Sequence, residues 1–308
     1  MNKSIRLFTE TGIGNQIQFI PALKVLKKAG YKLFSDSPLY LELLPNYISK
    51  PKKLNKNQKY DFGILLYHLG LSRAINAKRV CNKLIGFPYS FKVSGHRPIP
   101  FLSTLFLDNK ICFNENQSEI ENNIKLLQYF RLKNPEIDYS VDIVRKPEKN
   151  VIGMSIGSGA HPEKRWKYFI DLVNNLPHKH FRLFGMETEL NKDLVEHSLY
   201  ENVEIVETET LMGVSLEIAK CEIFVSNDNG LMHLADLLHV PTIAIFGMTN
   251  VIRNGPWNKP HKVVSLNMWC SPCYHNGRIK CNNKEHYACM NIPIDLVMDA
   301  INNLEKSL

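Results

Sequence analysis

Apolar residues along the chain gather in short strand-like runs, separated by stretches in which they recur at the three- and four-residue spacing of a helix face. In the first half the runs are IRLFT (5–9), YKLFSD (31–36), YDFGILLY (60–67) and KLIGF (83–87). In the second half they are NVIGMSI (150–156), FRLFG (181–185), VEIVE (203–207), EIFVS (222–226) and TIAIF (242–246). Strands alternating with amphipathic helices predict α/β architecture with parallel sheets covered by helices. Between the two sets, Lys146-Pro147-Glu148-Lys149 has the composition of a linker, which predicts domains over 1–148 and 149–308. Doubly wound, Rossmann-like sheets bind ligands beyond the carboxyl ends of their strands. Two such sheets facing one another would share an interdomain cleft, so the chemistry belongs in the loops that follow strands.

Three of those loops carry polar residues of the right kind. In FTETGIGNQIQFIPALKVLKKAG (8–30), Gly12 and Gly14 permit a tight turn and Ile17, Ile20, Leu23 and Leu26 mark a helix face. Asn15 with Gln18 fits a capping box; the other reading of Asn15 is a polar group beside an acceptor. In GMSIGSGAHPEKRWKYF (153–169) the small residues around Ser158 let backbone N–H groups approach an anion, and Lys164 adds a cation; an ordinary turn is the alternative. In FVSNDNGLMHLADLLHVPTIAIFG (224–247), Asp228 or Asn229 caps a helix starting at Gly230, whose stripe is Leu231, Leu234 and Leu238. The free N–H groups and dipole of that helix suit a diphosphate. His233, in its first turn, either donates to the same anion or is a buried histidine satisfied by backbone.

Composition adds limits. With 308 residues, 44% hydrophobic and 22% charged, the chain has the make-up of a soluble globular protein. No apolar run approaches the roughly 18 residues of a membrane span, and MNKSIRLFTETGIGN lacks a signal-peptide pattern, so the expected compartment is the cytoplasm. The net charge of +8 favours anionic partners: sugar nucleotides, phosphorylated glycolipids, membrane surfaces. The excess is diffuse outside SKPKKLNKNQK (49–59), which argues against a nucleic-acid protein. Four of the seven cysteines, Cys270, Cys273, Cys281 and Cys289, are spaced C-x2-C-x7-C-x7-C. Such a set can bind structural zinc or iron, with His275 or His286 able to replace a thiolate, or stand as reduced structural thiols. IPIDLVMDAINNL (292–304) then has helical spacing.

Taken together, GIGNQIQFIPALKVL, GSGAHPEKRWKYF and NDNGLMHLADLLHVPTIAIFG resemble, in order and spacing, glycosyltransferase family 9, the group that includes the lipopolysaccharide heptosyltransferases. The resemblance implies a GT-B enzyme, inverting and without a DXD-type catalytic metal, that moves a sugar from a nucleotide-diphosphate donor to a glycan or glycolipid acceptor. ADP-activated heptose is the implied donor and lipopolysaccharide core the implied acceptor, reached at the inner face of the membrane. Residue by residue it places Asp228, Asn229, Gly230 and His233 at the donor diphosphate, Ser158 and Lys164 at its phosphates, and Glu187 at the ribose hydroxyls. Asn229 stands where the family has Ser or Thr, and Asn15 where the family has its proposed catalytic Asp. An amide orients a hydroxyl but does not take its proton, so Glu10, on the same loop, becomes the candidate base, with proton loss to solvent as another route. Binding of a sugar nucleotide without efficient transfer, or transfer to protein or DNA, are the competing readings. A similar Cys-rich tail in an iron-binding branch of the family supports a structural metal, and GT-B analogy makes the last helix a closing one.

Overall fold

In the computed structural model, which describes residues 3–9, 11–51, 58–66, 71–87, 104–159, 161–185, 201–275 and 278–308, the short apolar runs become strands of two parallel sheets. β1 (Ser4–Phe8), β2 (Lys32–Phe34), β3 (Ile48–Ser49), β4 (Tyr60–Leu65), β5 (Cys81–Gly86) and β6 (Asn109–Lys110) lie in the order β3-β2-β1-β4-β5-β6. β7 (Val151–Ser155), β8 (His180–Phe184), β9 (Val203–Ile205), β10 (Ile223–Asn227), β11 (Thr242–Ile245) and β12 (His261–Val264) lie in the order β12-β11-β10-β7-β8-β9. Read from β3 in the first sheet and from β9 in the second, both follow third-second-first-fourth-fifth-sixth. Each therefore has a switch point between its first and fourth strands, β1 beside β4 and β7 beside β10, where crossovers leave in opposite directions.

The chain divides into units Met1–Tyr139 and Ser140–Leu308. That division falls ahead of the linker expected at 148, because residues 140–149 are stitched to the second unit. Lys146 N–H donates to Ala219 O (3.2 Å), Glu148 N–H to Lys220 O (2.8 Å), and the Arg145 guanidinium to the carbonyls of Cys221 and His239 (3.1 Å each).

β7 and β10 are buried at every position, as expected of central parallel strands covered on both faces. Gly153 makes their pairing possible: a Cβ there would stand 2.5 Å from Phe224 Cδ2 and 2.7 Å from Cys221 Sγ. The core beneath this sheet joins Met154, Trp166, Phe181 and Val225 to Val297 and Ile301 of the last helix, Ile294–Glu305. That helix packs on β11 and β12 of its own unit. Among the described residues no helix is long and apolar enough to cross a membrane.

In the first unit the helix after β1 begins at Ile13 and is capped by Gly12 without a side-chain bond, so the capping box expected of Asn15 and Gln18 does not form. Asn15 lies inside the helix, where its Nδ2 donates to Thr11 Oγ1 (2.7 Å), and Gln18 follows the helix end. The second helix, Ile20–Lys28, buries Leu23 and Leu26 as its spacing predicts. A capping box is present elsewhere, at Ser118 with Glu121.

Candidate functional site

Asn227, the last residue of β10, organises the switch point of the second unit. Fully buried, it accepts the backbone N–H of Trp166 at Oδ1 (2.9 Å) and donates from Nδ2 to the carbonyls of Ile156 (2.9 Å) and Gly157 (3.3 Å). One amide thus ties both ends of the loop that follows β7. The far end is fixed again by the wholly buried Trp166 indole, whose Nε1–H donates to Ile292 O (2.8 Å). Lys164, two residues earlier, leaves a short 3-10 turn, Pro162–Lys164, held by that anchor.

Asn229 makes the second tie. Its Oδ1 accepts the N–H groups of Leu231 (2.9 Å) and Met232 (3.1 Å), and its Nδ2 donates to Ser155 Oγ (2.8 Å) and Gly157 O (2.7 Å). Of the two cap candidates Asn229 is the cap of helix Gly230–Leu237, and its amide is fully used within the protein. Because the cap takes two of the first-turn N–H groups, the helix presents mainly its dipole, rather than those two donors, to whatever lies beyond. The helix is buried on more than the expected stripe: Met232, His233 and Asp236 are covered as well as Leu234 and Leu238, while Leu231 is half-exposed.

Asp228 is free for a different partner, and its Oδ2 lies 2.7 Å from Lys164 Nζ, with both side chains largely covered. The carboxylate neutralises a cation in a place where either charge alone would carry a desolvation penalty of several kcal/mol, to order of magnitude. His233 is buried beside this pair. Burial pushes its pKa down to about 4, against the pull of Asp228 and with the push of Lys164, so the ring is neutral at physiological pH. Ser158 is buried too, and its Oγ has no hydrogen-bond partner among the described residues. A hydroxyl shut from water without a partner costs about 1–3 kcal/mol.

Ser158, Lys164, Asp228 and Asn229 therefore come from the two loops of one switch point, and Gly230 and His233 from the first turn of the helix that follows the second loop. Glu187, expected at a ribose, and Glu10, the candidate base, lie outside the described residues. Asn15 lies on the loop and helix that follow β1, at the first unit's own switch point. The residue missed from sequence is Asn227; the signal was a polar side chain closing an otherwise apolar strand and followed by a second Asx residue.

The cysteine-rich segment carries a hairpin of β13 (Tyr274–His275) and β14 (Arg278–Ile279). Cys273 and Cys289 are buried in the core of the unit, and Cys270 and Cys281 are half-exposed. Burial, followed by the neighbouring thiols Cys289, Cys281 and Cys270, pushes Cys273 up to about 11, which keeps it a thiol at neutral pH. Among the described residues no three His, Cys, Asp or Glu side chains gather as a metal-ligand set. His286 is exposed and meets Tyr287 edge-on.

Two units of parallel α/β sheet, each with its loops at a switch point, define the fold as GT-B, the architecture of nucleotide-sugar glycosyltransferases. The model of glycosyltransferase family 9 (heptosyltransferase) matches residues 52–283, and the chain belongs to that family. It is similar to lipooligosaccharide heptosyltransferase 2 of Campylobacter jejuni, 28% identical over 200 residues that make up 61% of this chain and 62% of that protein. The chain thus spans about three-fifths of the length of the curated relatives it matches first. Its fold is similar to that of E. coli ADP-heptose lps heptosyltransferase II, with TM-score 0.72 at 16% identity over 98% of each chain. It is also similar to that of the iron-containing dodecameric glycosyltransferase TibC of enterotoxigenic E. coli, with TM-score 0.63 at 13% identity over 99% of this chain and 77% of that one.

Proposed function

We propose that this chain is an inverting glycosyltransferase that moves a heptose-type sugar from an ADP-activated donor to a glycan or glycolipid acceptor of the lipopolysaccharide-core kind. Family membership and the names of its relatives support the activity and the ADP-heptose donor. The observation that carries the reading is the Lys164–Asp228 pair, which joins the loops after β7 and β10 at the switch point of the second unit, with the buried Ser158 hydroxyl on the first of those loops.

In this reading a nucleoside diphosphate sits at the loops after β7 and β10. Transfer demands stabilisation of the departing diphosphate, and three groups supply it without a metal: the Lys164 ammonium, the Ser158 O–H and the dipole of helix Gly230–Leu237. Asp228 keeps the ammonium in place, and His233, held neutral by burial, offers an N–H without adding charge. Asn227 and Asn229 keep the two loops in register. Glu187 is proposed for the ribose. On the acceptor side Asn15, in the helix after β1, orients the hydroxyl that attacks, with Glu10, five positions earlier in the sequence, as the base that removes its proton. The net charge of +8 suits an anionic glycolipid presented at the inner face of a membrane. A second reading, donor binding without efficient transfer, is favoured by one observation: position 15 is an amide, tied to Thr11, with no usable proton affinity.

Calorimetry with ADP and ADP-heptose tests the donor half. Wild type is expected to bind ADP, and Lys164→Ala to weaken it about 10- to 100-fold, the loss of one charge-assisted contact of roughly 1.5–3 kcal/mol. Unchanged affinity in Lys164→Ala sinks the assignment. Donor consumption with an acceptor then separates transferase from binder: tight ADP-heptose binding with no turnover establishes the second reading.

A further inference from the structure

The ammonium of Lys164 has a second neighbour that neither donor-side loop supplies. Its Nζ lies over the ring of Tyr274, 5.3 Å from the centroid, while it is 2.7 Å from Asp228. Tyr274 opens the hairpin of the cysteine-rich segment, and that segment is well anchored. The N–H groups of Cys273 and Tyr274 both donate to Met248 O (2.9 Å each), Cys273 and Cys289 are buried in the core, and Tyr274 pairs with Ile279 across the hairpin. The ring is also met edge-on by His161, at 5.1 Å between centroids and 81° between planes. His161 starts the turn that carries Lys164.

An ammonium has three N–H donors and a flexible four-carbon stem. Asp228 takes one donor. The negative face of an aromatic ring attracts the same cation without a fixed lone pair, so it confines the stem while leaving the remaining donor directions to another anion. Removing the ring lets Lys164 leave the position in which the Asp228 carboxylate and a phosphate are reached together.

We propose that Tyr274 is a positioning residue for Lys164, and that the cysteine-rich segment serves the donor site by carrying this ring. The ligand it serves is the diphosphate of a nucleoside diphosphate, so the inference rests on the donor reading above.

The test is a double-mutant cycle in the full chain with ADP as the probe, read by calorimetry. Tyr274→Leu is expected to weaken ADP binding about five- to tenfold, the scale of a partly desolvated cation–π contact. Tyr274→Phe, which keeps the ring, is expected to stay within about twofold of wild type. In a Lys164→Ala background, Tyr274→Leu is expected to change affinity by less than about twofold, since the cation through which the ring acts is gone. A ring that merely shaped the loop would lower affinity equally in both backgrounds, and that result overturns the proposal. Tyr274→pentafluorophenylalanine keeps the packing and reverses the quadrupole, so it is expected to match Tyr274→Leu; if it binds like Tyr274→Phe, the cation–π role is wrong. Full ADP affinity in Tyr274→Leu overturns this proposal alone. A wild type that binds no ADP overturns the donor reading and this inference with it.

Discussion

His233 should make the second unit acid-labile in a way that one substitution removes. Its ring is buried, and burial lowers its pKa from 6.5 to about 4 despite the nearby Asp228 carboxylate. In the unfolded chain the same ring titrates near 6.5. A group with a depressed folded value contributes stability that is whole above its unfolded pKa and is lost as pH falls through its folded pKa. For His233 that window runs from about 6.5 down to about 4. Over the whole window the linkage amounts to about 3 kcal/mol. By pH 5 about 2 kcal/mol of it is gone, and by pH 4 about 3. His233→Gln cannot titrate, so the stability of wild type relative to this variant should fall by about 2 kcal/mol between pH 8 and pH 5, whatever the starting difference. The three tryptophans, Trp166, Trp257 and Trp269, all lie in the unit Ser140–Leu308, so urea unfolding followed by tryptophan fluorescence reads this unit alone. A difference that moves by less than about 0.5 kcal/mol, or a His233 ring resonance titrating near 6.5, refutes the argument that burial controls this ring.

Two further outcomes follow from the packing at the same switch point. Asn227→Ala strips the partner from Trp166 N–H and Asn227's bond from the Ile156 carbonyl, while the Gly157 carbonyl keeps its bond from Asn229, and should cost about 3 kcal/mol in urea unfolding with a red shift of Trp166 emission; a loss under about 1 kcal/mol would show that the loop closes without it. Gly153→Ala puts a methyl against Phe224 and Cys221 and should cost about 1–3 kcal/mol, whereas Gly185→Ala, with nothing among the described residues within 4 Å of its Cβ, should stay within about 0.5 kcal/mol; equal effects at the two glycines would contradict the close approach of β7 to Phe224.

Much of the fold was legible because its signals are local. The runs at 5–9, 60–67, 150–156 and 222–226 became β1, β4, β7 and β10, since a continuous apolar stretch has no stable place except inside a covered sheet. Helix starts were less legible. Asn15 and Gln18 have cap spacing, yet Gly12 precedes them and the chain turns helical there first, so a spacing rule pointed to the wrong residue. Asp236 shows a signal present and unread: a lone acid in LMHLADLLHV whose carboxylate accepts the N–H groups of Trp257 (2.6 Å) and Asn258 (2.8 Å), with its pKa raised to about 7 by burial.

By itself the sequence determined the two α/β units, the loops that carry the polar residues, and the family to which those loops point. Period, punctuation and motif are properties of neighbouring residues, and each is written within a few turns of chain. Tertiary structure decided which of two candidates caps the helix, that Asp228 pairs with Lys164, that Asn227 closes a loop from another strand, and that Tyr274 stands over the cation. Those contacts join segments far apart in the chain, and they exist only because β7 and β10, distant in sequence, pair side by side at the switch point.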